Sequence, residues 1–174
     1  MSEELAKKYT DTPVWIKSSA MGSSYTLELL SNLTSMPNTE IAKKAFKMAK
    51  LDPKDFFGNG FAEVHDCFSI SEYLHYEDFG FCKKGEGPKM LEEGITEIDG
   101  ALPVNPSGGL LSCGHPLGAT GVRQVAEILY QIRKDKEVAK RQIPDSNLKL
   151  ALAHTMGQPG LGWTGSILIF SRDL

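Results

Sequence analysis

The sequence predicts a layered α/β domain, with a mixed β-sheet and helices on both of its faces. Helical and extended patterns alternate along the chain, and two apolar runs near its end are joined by a glycine-rich turn, as in a β-hairpin. The chain has 174 residues, of which 41% are hydrophobic and 24% charged, so it is long enough to build its own core. We therefore expect residues 1–174 to form a single domain.

The first part of the chain predicts the end of a helix, a short strand and a loop. Residues 1–9 carry the charges of a solvated helix end, and the run Val14–Lys17 predicts the strand. Residues 18–37 are rich in Ser, Thr and Asn, which favours a loop. Within that loop we expect a short helix over Tyr25–Leu30.

The middle of the chain predicts two helices that flank a strand. Over Thr39–Leu51 the apolar residues recur at helical spacing, with lysines between them on a solvated face. The apolar run Phe61–Val64 predicts a short strand. The following segment, Ser69–Tyr76, predicts a helix with Ser69 as its N-cap and Glu72 as the capping-box partner.

The last part of the chain predicts an exposed connection, one helix and the hairpin. Charges and glycines in Lys83–Gly94 indicate the connection. The helix follows a glycine-rich stretch, and its apolar face consists of Val122, Val125, Ala126, Leu129 and Ile132. Leu148–Ala153 and Ser166–Phe170 have the composition of buried strands, and Gly157–Gly165 predicts the turn that joins them.

Charge and cysteine content exclude several classes of function. Nineteen Lys and Arg against 22 Asp and Glu give a net charge of −3, so we expect neither a nucleic-acid partner nor an anionic membrane. Three cysteines without a C-x-x-C pair indicate a reducing compartment rather than disulfides or a metal site. There is no apolar run of the ~20 residues that cross a bilayer. Because Ser171–Leu174 is not a signal of the S-K-L type, we expect a cytoplasmic rather than a peroxisomal protein.

The strongest local motif is the glycine-rich stretch Asn105–Gly121, which contains His115. His115 directly precedes Pro116, a residue suited to the first turn of a helix, so its ring is expected near the positive end of that helix. There a neutral imidazole can accept a proton from a nucleophile or hydrogen-bond a developing oxyanion. The spacing alone is equally compatible with a capping histidine in a glycine-rich loop.

Two further segments carry histidines. In His65-Asp66-Cys67-Phe68, which follows a strand, alternation places His65 and Cys67 on one side and Asp66 on the other. A buried cysteine beside a hydrogen-bonded histidine is the alternative interpretation. His154 begins a strand end that runs into a glycine-rich turn, whose free N–H groups suit an oxyanion hole or a plain hairpin. We interpret His75 as structural.

These three segments, in their order along the chain, resemble the C-terminal half of the thiolase family. The stretch Asn105–Gly121 matches the family's glycine-histidine-proline motif, and Lys140–Pro144 and the last glycine-rich turn also match. The tetrad His65–Phe68 is the form of the sterol carrier protein X and lipid-transfer-protein-like subgroup, where other thiolases have Asn-Glu-Ala-Phe. The resemblance extends over nearly all 174 residues.

The resemblance implies an acyltransferase that exchanges acyl groups between a catalytic cysteine and coenzyme A. Such enzymes cleave 3-ketoacyl-CoA or join two acyl-CoA molecules by Claisen condensation. By motif, His115 would activate the nucleophilic cysteine and, with His65, form an oxyanion hole, while the backbone at Gly157 would serve a second one. Most thiolases have a second, acid-base cysteine where this chain has Thr155, and Cys67 is the expected replacement.

The resemblance also implies that the nucleophile lies on another segment. In the family it belongs to an N-terminal half, and none of Cys67, Cys82 and Cys113 matches its position. We expect that half as a partner, in the same longer chain or as a separate subunit, within a homo- or hetero-oligomer. Coenzyme A is then a substrate, and we expect no bound cofactor or metal. The alternatives are a thiolase-like steroid or acyl-CoA aldolase subunit and a non-catalytic lipid-binding homologue.

Overall fold

The computed structural model describes residues 2–25, 37–157 and 162–173. The α-helices are α1 (Glu3–Tyr9), α2 (Pro37–Ala49), α3 (Ser69–Asp78), α4 (Gly87–Glu92), α5 (Gly109–Cys113) and α6 (Thr120–Arg133). Short 3₁₀ helices span Pro53–Phe56, Lys136–Val138 and Asp145–Leu148. The strands are β1 (Trp15–Tyr25), β2 (Gly60–Glu63), β3 (Leu150–Gly157) and β4 (Gly162–Ser171).

The four strands form one mixed sheet in the order β1-β4-β3-β2. Strands β3 and β4 are antiparallel, as are β1 and β4, whereas β2 and β3 are parallel. The predicted mixed sheet and its terminal hairpin are therefore confirmed. Because parallel strands end at the same edge of a sheet, the residues that follow β2 lie beside the end of β3.

Helices cover both faces of the sheet, as predicted, and each face has its own apolar core. On one face Ala62, Leu152, Ile167 and Ile169 pack in a buried cluster that includes residues of α2 and α3. On the other face a second cluster contains strand residues and two isoleucines of α6, and consists of Phe61, Ile128, Ile132, Ile143, Leu148, Ala151, Ala153 and Phe170. Alternation of side chains along each strand separates the two clusters.

Strand β1 is longer than predicted, and the loop expected from residue 18 onward is wrong as far as Tyr25. The strand pairs with β4 from Trp15 opposite Ser171 to Tyr25 opposite Gly162. Its inward positions carry small residues because α2 packs closely over them: a Cβ added at Gly22 would lie 3.0 Å from Ile41 Cγ1. Small inward residues leave no hydrophobic alternation to recognise. The helix predicted over Tyr25–Leu30 lies, after Tyr25, outside the described residues.

Two predictions about helices are wrong. The connection Lys83–Gly94 contains α4, whose residue Met90 is buried in the core. Ser69 does not cap α3: the N-cap is Phe68, with no side-chain hydrogen bond. The supposed capping-box partner, Glu72, instead accepts hydrogen bonds from the Tyr76 hydroxyl and from an asparagine side chain.

The apolar face predicted for α6 is only partly the buried one. Ile132 is buried, but Val122 is 73% exposed, and the buried positions include the polar Gln124 and Gln131. Gln124 donates to the backbone carbonyl of His154 at 3.0 Å, which explains why a polar residue lies inside. Apolar periodicity cannot reveal a helix face that packs through side-chain hydrogen bonds.

Candidate functional site

The structure brings His65 and His115 together at one cavity. Their ring centroids are 4.8 Å apart and their planes are nearly perpendicular. His65 follows β2, and His115 lies between α5 and α6. The cavity is open, has a volume of about 460 Å³, and is lined by Met21, His65, His115, Leu117, Gly118, Thr120, Gly121, Val122, Thr155, Met156, Gly157, Thr164, Gly165 and Ser166. Three of the predicted site residues, His65, His115 and Gly157, therefore share it.

His115 has a hydrogen-bond partner at Nδ1. The Thr120 hydroxyl oxygen lies 2.8 Å from His115 Nδ1 and 3.2 Å from the carbonyl oxygen of Pro116. When the hydroxyl donates to that carbonyl, it accepts the Nδ1 proton and Nε2 keeps its lone pair. In this tautomer a neutral His115 is a proton acceptor at Nε2, as a base requires. Pro116 is not in the first turn of α6, which begins one turn later, at Thr120.

His65 is buried and has an uncharged ring. Its exposed fraction is 3%. Burial, together with the smaller effects of the neighbouring His115 and His75, lowers the pKa of His65 from 6.5 to about 4. Within the described part of the chain, His65 Nδ1 is buried and has no hydrogen-bond partner. Because buried polar atoms normally have a hydrogen-bond partner, this unpartnered nitrogen is a feature that packing alone does not explain.

The glycine-rich loop is fastened to the segment after β2 by carboxylates. Asp66, which does not line the cavity, accepts the backbone N–H of Leu110 at 2.6 Å. Glu72 accepts from the side chain of Asn105 at 2.8 Å. The side-chain oxygen Oδ1 of Asn105 in turn accepts the N–H of Val64 at 2.8 Å. These bonds hold the two histidine-bearing segments in fixed relative positions.

A third carboxylate, Glu63, is fully buried beneath the same loop. It accepts the backbone N–H of Ser107 at 3.0 Å and the Ser107 hydroxyl at 2.7 Å. Desolvation raises the pKa of Glu63 from 4.5 to about 7 despite these two hydrogen bonds, which favour the charged form. The Ser107 oxygen also accepts from Arg123 at 3.1 Å.

We expect the native chain to become less stable as the pH rises through 7, and Glu63→Gln to abolish this pH dependence. The native-state pKa lies above the unfolded value, so Glu63 favours folding fully below pH 4.5 and loses this contribution as the pH rises through 7. A shift of this size corresponds to about 3 kcal/mol in the free energy of unfolding. Denaturant titrations at pH 5 and pH 8 measure it. The matched control is exposed Glu92→Gln; equal pH dependence of both variants would contradict the prediction.

None of the three cysteines lines the described cavity. Cys67 is half-buried and lies two residues after His65. Cys113 is exposed, and its thiol donates to the Ser107 carbonyl at 3.2 Å. Burial, with Glu77 and Glu86 nearby, raises the pKa of the Cys82 thiol to about 11, which disfavours its reactive thiolate. The role predicted for Cys67 stays a prediction.

At the other wall of the cavity lie the ends of β3 and β4. Thr155 and Ser166 share a hydrogen bond of 2.7 Å between their hydroxyl oxygens. Gly157 pairs with Thr164 at the end of the hairpin. The turn between the two strands, predicted to contribute N–H groups, falls at residues 158–161, outside the described part of the structure.

Behind His65 lie three buried polar residues, Asn38, His75 and His154. Sequence reasoning missed Asn38, treated His75 as structural, and considered His154 only as the start of a strand end that runs into a glycine-rich turn. His75 donates to the carbonyl of His65, and His154 accepts its N–H. In the described structure the histidines do not form a group of three or more ligands suited to a metal ion. The one signal in the sequence was His154 within an otherwise apolar strand, a place where a polar side chain needs a buried partner.

A family model described as "Thiolase C-terminal domain-like" matches residues 19–172. The chain belongs to this thiolase family. Acetyl-CoA acetyltransferase of Methanothermobacter thermautotrophicus is 47% identical to it over 171 residues, 97% of this chain and 42% of that protein. Human sterol carrier protein 2 is 44% identical over 121 residues, 70% of this chain and 21% of that protein. The resemblance to the C-terminal half of thiolases is confirmed.

The thiolase fold is also seen in a solved structure. The structure titled "Ltp2-ChsH2(DUF35) aldolase" matches 99% of this thiolase-family chain and 43% of its own, with a TM-score of 0.77 and 23% sequence identity. The chain thus spans less than half the length of each of these relatives. In its described part, no helix has the length and apolar character needed to span a membrane.

Proposed function

We propose that this chain supplies the histidines and oxyanion-binding groups of a thiolase-type acyltransferase that acts on acyl-CoA, and that an N-terminal half supplies the nucleophilic cysteine. The reaction is thiolysis of 3-ketoacyl-CoA or the reverse Claisen condensation. The observation that carries the proposal is the contact of two histidine rings, 4.8 Å apart, at one open cavity. The matching family and the acetyl-CoA acetyltransferase relative support it.

In thiolysis, Nε2 of His115 accepts the proton of the partner's thiol as the thiolate attacks the 3-keto carbon. The bond between C2 and C3 then breaks, which leaves an acyl thioester on the cysteine and the enolate of acetyl-CoA. The thioester oxygen of this enolate gains charge, and protonated His115 and the neutral ring of His65 hydrogen-bond it. A proton is delivered to the enolate carbon by an acid. Coenzyme A then attacks the acyl thioester, and its thiol proton returns to that acid. The second acyl-CoA is released, and the cysteine thiolate that leaves recovers its proton from His115.

The acid that delivers this proton is proposed to be Cys67. The Thr155 hydroxyl is far less acidic than a thiol and does not take this role at neutral pH. Cys67 is half-buried and does not line the cavity. Proton transfer from Cys67 therefore requires its thiol to turn toward the substrate when the N-terminal half completes the site. Gly157 lines the opposite wall, and its backbone is proposed to bind the oxyanion formed when the cysteine or coenzyme A attacks.

The surface around the cavity supports docking of a second half. Every residue from 111 to 119 is exposed. Three apolar side chains at the cavity mouth are largely in contact with solvent: Met21 is 75% exposed, Leu117 85% and Val122 73%. Apolar patches of this kind mark interaction sites. Because no described cysteine lines the cavity, a docking half that brings a thiol would complete it, either from the same longer chain or as a subunit of an oligomer.

Reconstitution tests the proposal. We expect the 174-residue chain mixed with its N-terminal half to cleave acetoacetyl-CoA when coenzyme A is added, and either half alone to be inactive. The control is an N-terminal half with its nucleophilic cysteine changed to serine. Thiolysis by this chain alone would contradict the assignment of the nucleophile to the other half.

Assays of the same mixture distinguish the acyltransferase from the two alternative functions. An aldolase would release a small acyl-CoA from a β-hydroxyacyl-CoA without added coenzyme A. Thr155, where most thiolases have a cysteine, favours a non-catalytic carrier. The retained His115 favours the acyltransferase over the aldolase, because a lyase need not keep the group that activates a thiol. A bound lipid with neither activity would indicate a carrier.

A further inference from the structure

We propose that Asn38, His75 and His154 form a closed hydrogen-bonded ring that holds the backbone of His65 and thereby positions its imidazole in the cavity. None of the three lines that cavity, so they are positioning residues. The inference rests on the proposed function only for its effect on catalysis. The ring itself is a property of this chain.

The backbone of His65 has unusual partners. Strand β2 ends at Glu63, so the peptide groups of His65 lie beyond the sheet ladder. The N–H of His65 donates to His154 Nδ1 at 3.4 Å, and its carbonyl lies 3.0 Å from His75 Nε2. Two imidazoles therefore replace the neighbouring strand as partners of this peptide.

Asn38 joins the two imidazoles on their far sides. Its side-chain oxygen lies 3.2 Å from His154 Nε2, and its side-chain nitrogen lies 3.5 Å from His75 Nδ1. The same nitrogen also faces the Met156 sulfur at 3.6 Å. Asn38, His75 and His154 come from α2, α3 and β3, and all three are essentially inaccessible to solvent.

The direction of every hydrogen bond in the ring follows from the two bonds to the His65 backbone. A carbonyl only accepts, so His75 Nε2 carries a proton, and an amide N–H only donates, so His154 Nδ1 carries none. Each neutral imidazole has a single N–H. His154 therefore donates from Nε2 to the Asn38 oxygen, and the Asn38 amide donates to His75 Nδ1. Donors and acceptors match around the whole ring, and only one orientation of the asparagine amide permits this.

The surroundings of His154 favour the neutral form that this ring needs. Burial, together with the nearby His75 and His65, lowers the pKa of His154 well below its ordinary value. Phe79 stacks on the His75 ring at a centroid distance of 5.6 Å and lies 4.9 Å from the ring of His154. Asp78 Oδ2 is 3.7 Å from His75 Nδ1, beyond normal hydrogen-bond length.

The first test is the tautomeric state of the histidines in the 174-residue chain. Long-range ¹H–¹⁵N NMR at neutral pH distinguishes Nδ1–H from Nε2–H imidazole. We expect His75 and His154 each to be a single Nε2–H tautomer. An Nδ1–H tautomer at His154, or averaging between tautomers at either ring, would overturn the proposal. The outcome does not depend on catalysis, so it is separable from a failure of the proposed function.

The second test breaks the ring with Asn38→Leu, which keeps the approximate size of the side chain. We expect His75 and His154 to lose their single tautomers, and kcat of the reconstituted enzyme to fall about tenfold at unchanged KM, in the range for positioning partners. The matched control is Asn147→Leu, at a buried asparagine that donates to the carbonyls of Gly60 and Ala101. Unchanged tautomers and kcat in Asn38→Leu, or equal losses of kcat in both variants, would overturn the positioning role.

Discussion

Replacing His115 with alanine is expected to lower kcat of the reconstituted enzyme by roughly 10³- to 10⁴-fold, with little change in KM. Nε2 of His115 takes the thiol proton, and the protonated ring then stabilises the enolate oxygen, so its loss affects the transition state rather than substrate binding. The side chain is exposed in this structure, so we expect the free energy of unfolding to change by less than about 0.5 kcal/mol. Steady-state thiolysis of acetoacetyl-CoA and denaturant titration measure the two quantities.

Thr120 provides the graded control for this result. Thr120→Val keeps the shape of the side chain but removes the oxygen that fixes His115 Nδ1, whereas Thr120→Ser retains that oxygen. We expect a kcat between those of the native protein and His115→Ala for Thr120→Val, and a nearly native kcat for Thr120→Ser. If His115→Ala lowers kcat less than tenfold, His115 is not the base.

The second large effect is on stability, and we expect Gly109→Ala to lower the free energy of unfolding by more than about 3 kcal/mol. Gly109 has φ +65°, and an added Cβ would lie 2.0 Å from the buried carboxylate oxygen Oδ2 of Asp66. That carboxylate must move, and its hydrogen bond to Leu110 is then lost. Chemical denaturation of the 174-residue chain measures the change.

Gly58→Ala is the control that distinguishes backbone strain from the steric clash with Asp66. Gly58 has φ +72°, but nothing lies within 4 Å of an added Cβ. We expect this variant to lose only the ~1 kcal/mol that a left-handed conformation costs a residue with a Cβ. Similar losses in both variants would mean that the contact with Asp66 does not fasten the loop.

The parts of the site that short motifs encode were predictable, and the parts that tertiary packing assembles were not. His65 and His115 each stand in a local motif, and both line the cavity. The residues behind His65 carry no such pattern. Asn38 and His154 are 116 positions apart, so nothing in the sequence relates them.

Two of the wrong predictions about the fold have the same physical cause, which is burial without large apolar side chains. Strand β1 turns the small residues Ser18, Ala20 and Gly22 inward, where a helix packs closely. The inner face of α6 includes Gln124, which is buried through a hydrogen bond to a backbone carbonyl. Hydrophobic periodicity detects neither arrangement.

The strand order has a consequence for the assembly of the chain during synthesis. Strand β4 separates β1 from β3, so β1 has no strand partner in the described sheet until the last strand has formed. The parallel pair Gly60 and Leu150 likewise joins residues that are distant in sequence. A nascent chain that lacks β3 and β4 has neither a complete sheet nor His154, and such long-range closure is slow. The histidine cavity is therefore expected to appear only at the end of folding, when the last two strands are in place.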